Sequence, residues 1–143
     1  MNKENTKKLF ERFKFFKPDL PPTQSLMCFG FACGDGWFKL LWDLSEAIDK
    51  TNPDENFNVQ QVKEKFAGLR FYVSGSTKEI NELIDEAESK SYKTCEICGK
   101  KGKARLYRWN VTLCFWHNVK QFFRKFLENF KWWFKSLKYR KKK

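Results

Sequence analysis

The chain has 143 residues, enough for one compact domain with an appendage and too few for two ordinary domains with independent cores. Its formal net charge at pH 7 is +12, from 29 lysine and arginine residues against 17 aspartate and glutamate residues. The longest apolar run, near "SLMCFGFACG", is much shorter than the roughly 18 residues of a membrane-spanning helix, so the composition argues against a spanning segment.

The charge is unevenly distributed, with an acidic middle and two basic ends. Residues 1–17 carry 6 basic and 2 acidic side chains, residues 18–90 carry 7 and 13, residues 91–117 carry 6 and 1, and residues 118–143 carry 10 and 1. Basic ends attract polyanions such as nucleic acid or anionic lipid, whereas the acidic middle suits a basic protein. We predict that these four ranges are a basic N-terminal helix, an acidic α+β core, a zinc-binding module, and a basic aromatic C-terminal helix with its tail.

The N-terminal stretch "MNKENTKKLFERFKFFK" mixes charges throughout and lacks an apolar core, so it does not resemble a secretory signal. We therefore expect a soluble, cytoplasmic protein. In a reducing compartment, five cysteines favour metal binding or buried thiols over disulfides.

The first predicted element is a short basic amphipathic helix over residues 5–16. Leu9, Phe13 and Phe16 recur there at helical spacing, with cations between them. The three prolines of "KPDLPPTQS", residues 17–25, then remove backbone donors and predict an extended linker.

Residues 18–90 predict a small core of the α+β class, built from a helix, a hairpin and a second helix. The first helix is expected over about residues 36–50, with Asp35 as its N-cap and one apolar stripe along its length. The second helix has the sequence "KEINELIDEAESKS", and Thr77 is expected to cap it.

Between these helices the sequence "FNVQQVKEKFAGLRFYVSG" predicts a β-hairpin, since its second half alternates apolar and polar residues. A two-residue turn at Ala67 and Gly68 would place Val62 opposite Val73. A slip in the alternation after Val59 predicts a β-bulge in the first strand.

Four potential metal ligands follow in the pattern C-x2-C-x15-C-x2-H: Cys95, Cys98, Cys114 and His117. Each close pair offers two ligands from adjacent backbone, and an intervening hairpin can return the second pair to the first. Three thiolates and one imidazole complete a tetrahedral zinc ion and leave no position for water or substrate. We therefore predict a structural zinc ion, Zn²⁺, against the alternative of three scattered thiols and a surface histidine.

The order of knuckle, hairpin and helix resembles the treble-clef and zinc-ribbon families over about residues 92–125. The resemblance implies a fold. Its functions range over nucleic-acid binding and protein docking, so it does not choose between them.

No glycine or proline interrupts the chain from Thr112 to about Leu137, which predicts a helix roughly 40 Å long. Aromatic residues recur on it at helical spacing, with cations at other angles. Such a stripe is usually packed on the protein's own core, but adjacent tryptophans at 132 and 133 cannot both point inward. Packing of the stripe and exposure of some rings are therefore both open.

Exposed rings beside cations form a surface that stacks on unpaired bases and neutralises phosphates. The predicted nucleic-acid contacts are Arg105, Arg108, Lys120, Arg124, Lys131, Trp132, Lys135, Lys138, Arg140, Lys141, Lys142 and Lys143. RNA or a host ribonucleoprotein is the expected partner, and no small-molecule substrate is expected. The alternatives are a host protein target and a membrane surface, which suits a helix of the same composition.

No enzymatic site is expected. A nuclease of the histidine-asparagine-histidine type needs a catalytic histidine beyond the structural zinc, and His117 is the only histidine in the chain. The deaminase pattern H-x-E with P-C-x2-C is absent, as is the phosphate loop G-x4-G-K-[ST]. Asp35 lies between glycines ahead of a helix, where capping explains it without chemistry.

Four stretches, "FACGDGWFKLLWDL", "VQQVKEKFAGLRFYVSG", "INELIDEAESKSYKTCEICGK" and "TLCFWH", together resemble a group of small uncharacterised phage and prophage proteins over about residues 29–117. The resemblance by itself implies little about function. The chain departs from it in the basic N-terminal extension and the aromatic terminal helix, which we expect to carry its particular function. By analogy with small phage proteins that act against host machinery, the resemblance allows an inhibitor of the anti-CRISPR type.

Overall fold

The computed structural model describes residues 1–105 and 110–140, with side chains other than those of residues 129, 131 and 133–140. In these ranges the chain forms four α-helices and two antiparallel sheets of two strands each. The elements in chain order are α1 (Lys3–Arg12), α2 (Phe38–Lys50), β1 (Asn58–Lys65), β2 (Gly68–Ser74), α3 (Lys78–Ser91), β3 (Lys103–Arg105), β4 (Val111–Leu113) and α4 (Phe115–Arg140). The predicted α+β class is confirmed.

The N-terminal segment is built into the main core. Helix α1 ends at Arg12, earlier than predicted, and a short 3₁₀ turn follows at Lys14–Phe16. Leu9, Phe13 and Phe16 are all completely buried. The helical spacing seen in the sequence therefore marks a face that packs on the rest of the protein.

Aromatic rings hold α1 and its following turn to the first sheet. The Phe16 ring lies 5.0 Å from the Phe31 ring and 6.2 Å from the Phe71 ring, centroid to centroid, both edge to face. Each such pair contributes about 0.5–1.5 kcal/mol beyond the burial of its area. One hydrophobic core thus joins α1, α2, α3 and the β1–β2 sheet.

The expected capping role of Asp35 is wrong. A 3₁₀ turn occupies Asp35–Trp37, and α2 begins after it at Phe38. The Asp35 carboxylate instead accepts hydrogen bonds from the Asn2 backbone N–H at 2.8 Å and from the Asn5 side chain at 3.1 Å. The Asn2 hydrogen bond above all lowers the pKa of Asp35, because it stabilises the ionised carboxylate. Asp35 therefore ties the start of α1 to the loop before α2.

The turn of the first hairpin differs from the prediction. Phe66 and Ala67 form it, with φ angles of 55° and 67°, whereas Ala67 and Gly68 were the expected turn residues. Two residues with positive φ are typical of the type I′ turn, whose twist matches that of the paired strands. The predicted bulge in β1 is confirmed, between Val59 and Gln61.

The strand register differs accordingly. Val62 lies opposite Phe71 and not opposite Val73 as predicted. Gly68 belongs to β2, where an added Cβ would lie 2.4 Å from the Tyr92 ring. This glycine makes room for an aromatic side chain that follows α3, and that long-range contact explains why it does not form the turn.

Helix α3 begins after Thr77, whose side chain caps it as predicted. Its C-terminal half supplies hydrogen-bond acceptors to β2. The Ser91 hydroxyl accepts from the Leu69 N–H at 2.8 Å, and the Glu88 carboxylate accepts from the Phe71 N–H at 3.1 Å. Helix side chains thus satisfy backbone donors of β2 that would otherwise mark an open sheet edge.

Helix α4 has 26 residues and is about 39 Å long at 1.5 Å per residue. It begins at Phe115 and not at Thr112, because Val111–Leu113 pairs with β3 as strand β4. Among the described residues, no helix combines the length and the apolar character needed to cross a membrane.

Replacing Ser91 by alanine tests the contact between α3 and β2. Ser91→Ala should lower the free energy of unfolding by about 1–3 kcal/mol, because the buried N–H of Leu69 would lose its acceptor. Ser89→Ala changes an exposed serine of the same helix and should stay within about 0.5 kcal/mol of the parent. Urea unfolding followed by circular dichroism measures both; equal effects would contradict the assigned role of Ser91.

Candidate metal centre

The two ligand pairs reach the candidate site from different kinds of backbone. Cys95 and Cys98 lie on a tight turn after α3, which the Gly99 N–H closes by donating to the Cys95 carbonyl at 2.8 Å. Gly99 has a φ of 72°, a conformation that glycine adopts without strain. Cys114 immediately precedes α4, and His117 lies in its first turn.

Strands β3 and β4 return the second ligand pair to the first. They pair antiparallel, with Lys103 opposite Leu113. The Glu96 N–H donates to the Thr112 carbonyl at 3.0 Å, so β4 also contacts the turn that carries the first two ligands. The tip of this predicted hairpin, residues 106–109, lies outside the described residues.

The four predicted ligand atoms converge, and all lie within 4.8 Å of one another. The Nδ1 atom of His117 is 3.5 Å from the sulfur of Cys95 and 3.3 Å from that of Cys114. The sulfurs of Cys98 and Cys114 are 3.8 Å apart. The cluster could therefore bind a metal ion.

The start of α4 prepares one ligand for this role. A hydrogen bond from the His117 backbone N–H lowers the pKa of the Cys114 thiol to about 7. Helix N-termini commonly lower the pKa of a thiol in this way, because their free N–H groups stabilise negative charge. The thiolate is the form of cysteine that binds metals, so this position favours ligation near neutral pH.

The sequence "CGDGW", which we call the CGDGW loop (residues 33–37), packs against the turn that carries Cys95 and Cys98, which we call the knuckle turn (residues 94–99). The Gly36 N–H donates to the Glu96 carbonyl at 2.8 Å, and the Gly34 N–H donates to the Glu96 carboxylate at 2.9 Å. Burial raises the pKa of Glu96. These contacts fix the backbone of the knuckle turn against the main core.

Trp37 adds a third link between the two segments. Its side chain is completely buried, and its indole Nε1–H donates to the Thr94 carbonyl at 2.9 Å. The donor of a buried tryptophan needs such a partner. The largest buried side chain of the core thus points its polar atom at the start of the knuckle turn.

The two glycines of the CGDGW loop are required by space. An added Cβ on Gly36 would lie 2.2 Å from the Cys95 carbonyl oxygen, and one on Gly34 would lie 2.3 Å from the Glu96 carbonyl oxygen. The sequence alone predicts no role for these glycines. Two glycines around one polar residue are a signal of close backbone approach, although nothing local names the partner segment.

The remaining two cysteines lie outside the cluster. Cys33 is buried, and burial raises the pKa of its thiol to about 12, so it stays protonated at neutral pH. Cys28 is exposed. It is therefore suited to serve as a control in tests of the cluster.

The predicted nucleic-acid contacts do not form one described patch. Arg105 is half-buried at the end of β3, whereas Lys120 and Arg124 are exposed on α4. The Trp132 side chain is 73% exposed. The other predicted contacts lie outside the described side chains or residues: Arg108, Lys131, Lys135, Lys138, Arg140, Lys141, Lys142 and Lys143.

No protein-family model matches the chain, and no match is found among curated proteins or among solved structures. The resemblance to phage and prophage proteins, with the anti-CRISPR analogy drawn from it, stays a prediction. What the protein does must therefore be argued from the metal cluster and from α4.

Replacing Gly36 by alanine tests the contact between the CGDGW loop and the knuckle turn. Gly36→Ala should lower the free energy of unfolding by about 3 kcal/mol or more, since the new carbon would overlap backbone atoms that cannot rotate away. Urea denaturation of the purified protein measures this loss.

The matched control is Gly30→Ala. Gly30 has a positive φ, 76°, which Gly36 does not have, but the nearest neighbour of an added Cβ there would be a Thr6 methyl group at 3.5 Å. Only the backbone conformation of Gly30→Ala is then strained, at about 1–3 kcal/mol. A Gly36→Ala protein as stable as the Gly30→Ala protein would show that the close approach is not essential.

Proposed function

We propose that the four-ligand cluster holds a structural zinc ion. With Zn–S near 2.3 Å and Zn–N near 2.0 Å, a tetrahedral site has sulfurs about 3.8 Å apart and a sulfur about 3.5 Å from a nitrogen. The cluster has sulfurs 3.8 Å apart at Cys98 and Cys114, and sulfur-to-nitrogen distances of 3.5 and 3.3 Å at His117. The agreement of these three distances, together with the convergence of all four ligand atoms within 4.8 Å, carries the proposal, and a donor set of three thiolates with one imidazole also suits zinc.

The zinc acts as a structural staple. Four protein ligands complete its tetrahedron, which leaves no position for a water molecule or a substrate. The one histidine of the chain is among these ligands and is not free to act as a general base. We therefore propose that the protein acts by binding a partner and has no enzymatic activity.

The staple joins the first turn of α4 to the main core. The order of knuckle turn, β3–β4 hairpin and α4 supports a treble-clef-like arrangement, in which the last two ligands lie at the start of a helix. Through the knuckle turn and the CGDGW loop, this arrangement would give α4 a rigid base.

We further propose that α4 is the binding surface of the protein and that its partner is a polyanion. Residues 118–143 contain 10 basic residues and 1 acidic residue. Large apolar side chains are exposed along the described part of the helix: Phe115, Trp116, Phe122, Phe123, Phe126, Leu127, Phe130 and Trp132. RNA or a ribonucleoprotein, the partner expected from the sequence, offers the closely spaced phosphates that such charge attracts.

Metal analysis tests the staple. The purified protein should contain about one zinc ion per chain, and Cys95→Ser should lose it together with helicity, because a buried ligand is removed. Cys28→Ser removes an exposed thiol outside the cluster and should keep both. Plasma mass spectrometry and far-ultraviolet circular dichroism measure the two quantities. Unchanged zinc content and helicity in Cys95→Ser would refute the staple.

Charge substitution tests the polyanion proposal, with a labelled single-stranded RNA titrated by fluorescence anisotropy at several salt concentrations. The test variant neutralises three cations of α4: Lys120→Gln, Arg124→Gln and Lys125→Gln. The control removes the same charge from α2 and α3: Lys39→Gln, Lys78→Gln and Lys90→Gln. The test variant should flatten the slope of log affinity against log salt by about 2, and the control should leave it unchanged.

Equal changes of the slope in the two variants would mean that RNA affinity depends only on the total charge of the protein. In that case α4 would not be the RNA-binding surface.

A further inference from the structure

The described side chains of α4 separate into two faces. At about 100° per residue, eight apolar side chains fall within one arc of about 140°. This aromatic face consists of Phe115, Trp116, Val119, Phe122, Phe123, Phe126, Leu127 and Phe130. Arg124 and Lys125 lie on the opposite side, each about 130° from the centre of the aromatic face, and Arg124 pairs there with Glu128 at 3.8 Å. Lys120 lies at one border of the aromatic face. The exposed ring of Trp132 is on the polar side, about 150° from the centre of the aromatic face.

The metal cluster holds α4 from the side opposite to the aromatic face. His117 projects about 150° from the centre of that face, and its Nδ1 atom belongs to the cluster. The aromatic face is therefore turned away from the module that anchors the helix. Its exposure agrees with this orientation, since Phe122 is 68% exposed and Phe126 is 57% exposed.

A contiguous aromatic surface of this size favours an apolar partner, because water solvates it poorly. The charge of the helix restricts which apolar partners can bind it. Two copies of α4 packed side by side would bring together two helices that each carry 7 basic residues and 1 acidic residue, and these would repel. A surface that is both apolar and anionic meets both requirements.

Single-stranded RNA fits the arrangement less well. Proteins that bind it place cations along the same groove as the rings, so that bases stack while their phosphates are neutralised. In α4 the aromatic face lies opposite to Arg124 and Lys125, and of the described rings of the helix Trp132 alone lies on the side of these cations. Amphipathic helices that bind at bilayer surfaces have this separation, with phenylalanine and tryptophan on one face and lysine and arginine on the other.

We propose that α4 binds the surface of an anionic lipid bilayer. The aromatic face lies at the boundary between headgroups and acyl chains, and Lys120 at its border extends toward the lipid phosphates. The zinc-stapled module then sits on the polar side of the helix, away from the lipid. The inference rests on the proposed function, because it names the polyanionic partner of α4.

The test is co-flotation of the full-length zinc protein with vesicles of phosphatidylglycerol and phosphatidylcholine, compared with vesicles of phosphatidylcholine alone. The protein should partition onto the anionic vesicles at least about tenfold more strongly, because lysines gain attraction only there. Vesicles with brominated acyl chains should also quench its tryptophan fluorescence, which shows that rings enter the acyl boundary.

Paired substitutions identify the face that binds. Phe122→Ser with Phe126→Ser should weaken partitioning onto anionic vesicles at least about tenfold, since two rings that would be buried in the bilayer are lost. The control makes the same change at exposed rings outside α4, Phe29→Ser with Phe66→Ser, which are 77% and 63% exposed, and should retain partitioning within about twofold. Zinc content and helicity should be equal in both variants, because all four rings are exposed.

Three results would overturn the inference: no partitioning onto anionic vesicles, partitioning unaffected by the Phe122 and Phe126 substitutions, or a dimer, detected by sedimentation velocity, that buries the aromatic face and excludes lipid. The proposed function can fail separately. Binding of RNA through α4 without vesicle binding would overturn only the lipid inference. If substitutions in α4 changed neither RNA binding nor vesicle binding, both the lipid inference and the proposed binding role of α4 would be overturned.

Discussion

The close backbone contact between the CGDGW loop and the knuckle turn is the constraint on which the rest of the structure depends. It requires two positions without side chains, because the peptide groups of Gly34 and Gly36 lie against the backbone around Cys95 and Glu96. The same loop places Trp37 in the centre of the main core. The first two candidate metal ligands are therefore positioned by the core itself.

This loop also receives the start of the chain. Asp35 accepts hydrogen bonds from Asn2 and Asn5, so α1 meets the CGDGW loop at the carboxylate that lies between the two glycines. Five consecutive residues thus join the N-terminal helix, the main core and the metal cluster. A polar side chain suits the middle position because it faces α1, while the flanking glycines face the knuckle turn.

Features set by local backbone could be predicted from the sequence, and features set by distant partners could not. The two ligand pairs and the cap at Thr77 follow from short spacings, because each depends on the geometry of a single turn. The role of Gly68 depends on Tyr92, which lies beyond an entire helix, and the turn was misplaced for that reason. Asp35 resembles a helix cap in the sequence because the residues next to it give no indication of its true partners, which lie at the start of α1.

The aromatic stripe of the terminal helix shows how one long-range constraint resolves an ambiguity that periodicity leaves open. A stripe at helical spacing is compatible with a core face or with an exposed face. What separates the two is where the helix is attached, and in the proposed zinc site α4 is attached through His117. Because His117 and the aromatic face lie on opposite sides of the helix, a zinc bond at His117 would direct that face away from the body of the protein. The angular position of one proposed metal ligand thus decides a question that periodicity leaves open, and it agrees with the exposure of Phe122 and Phe126.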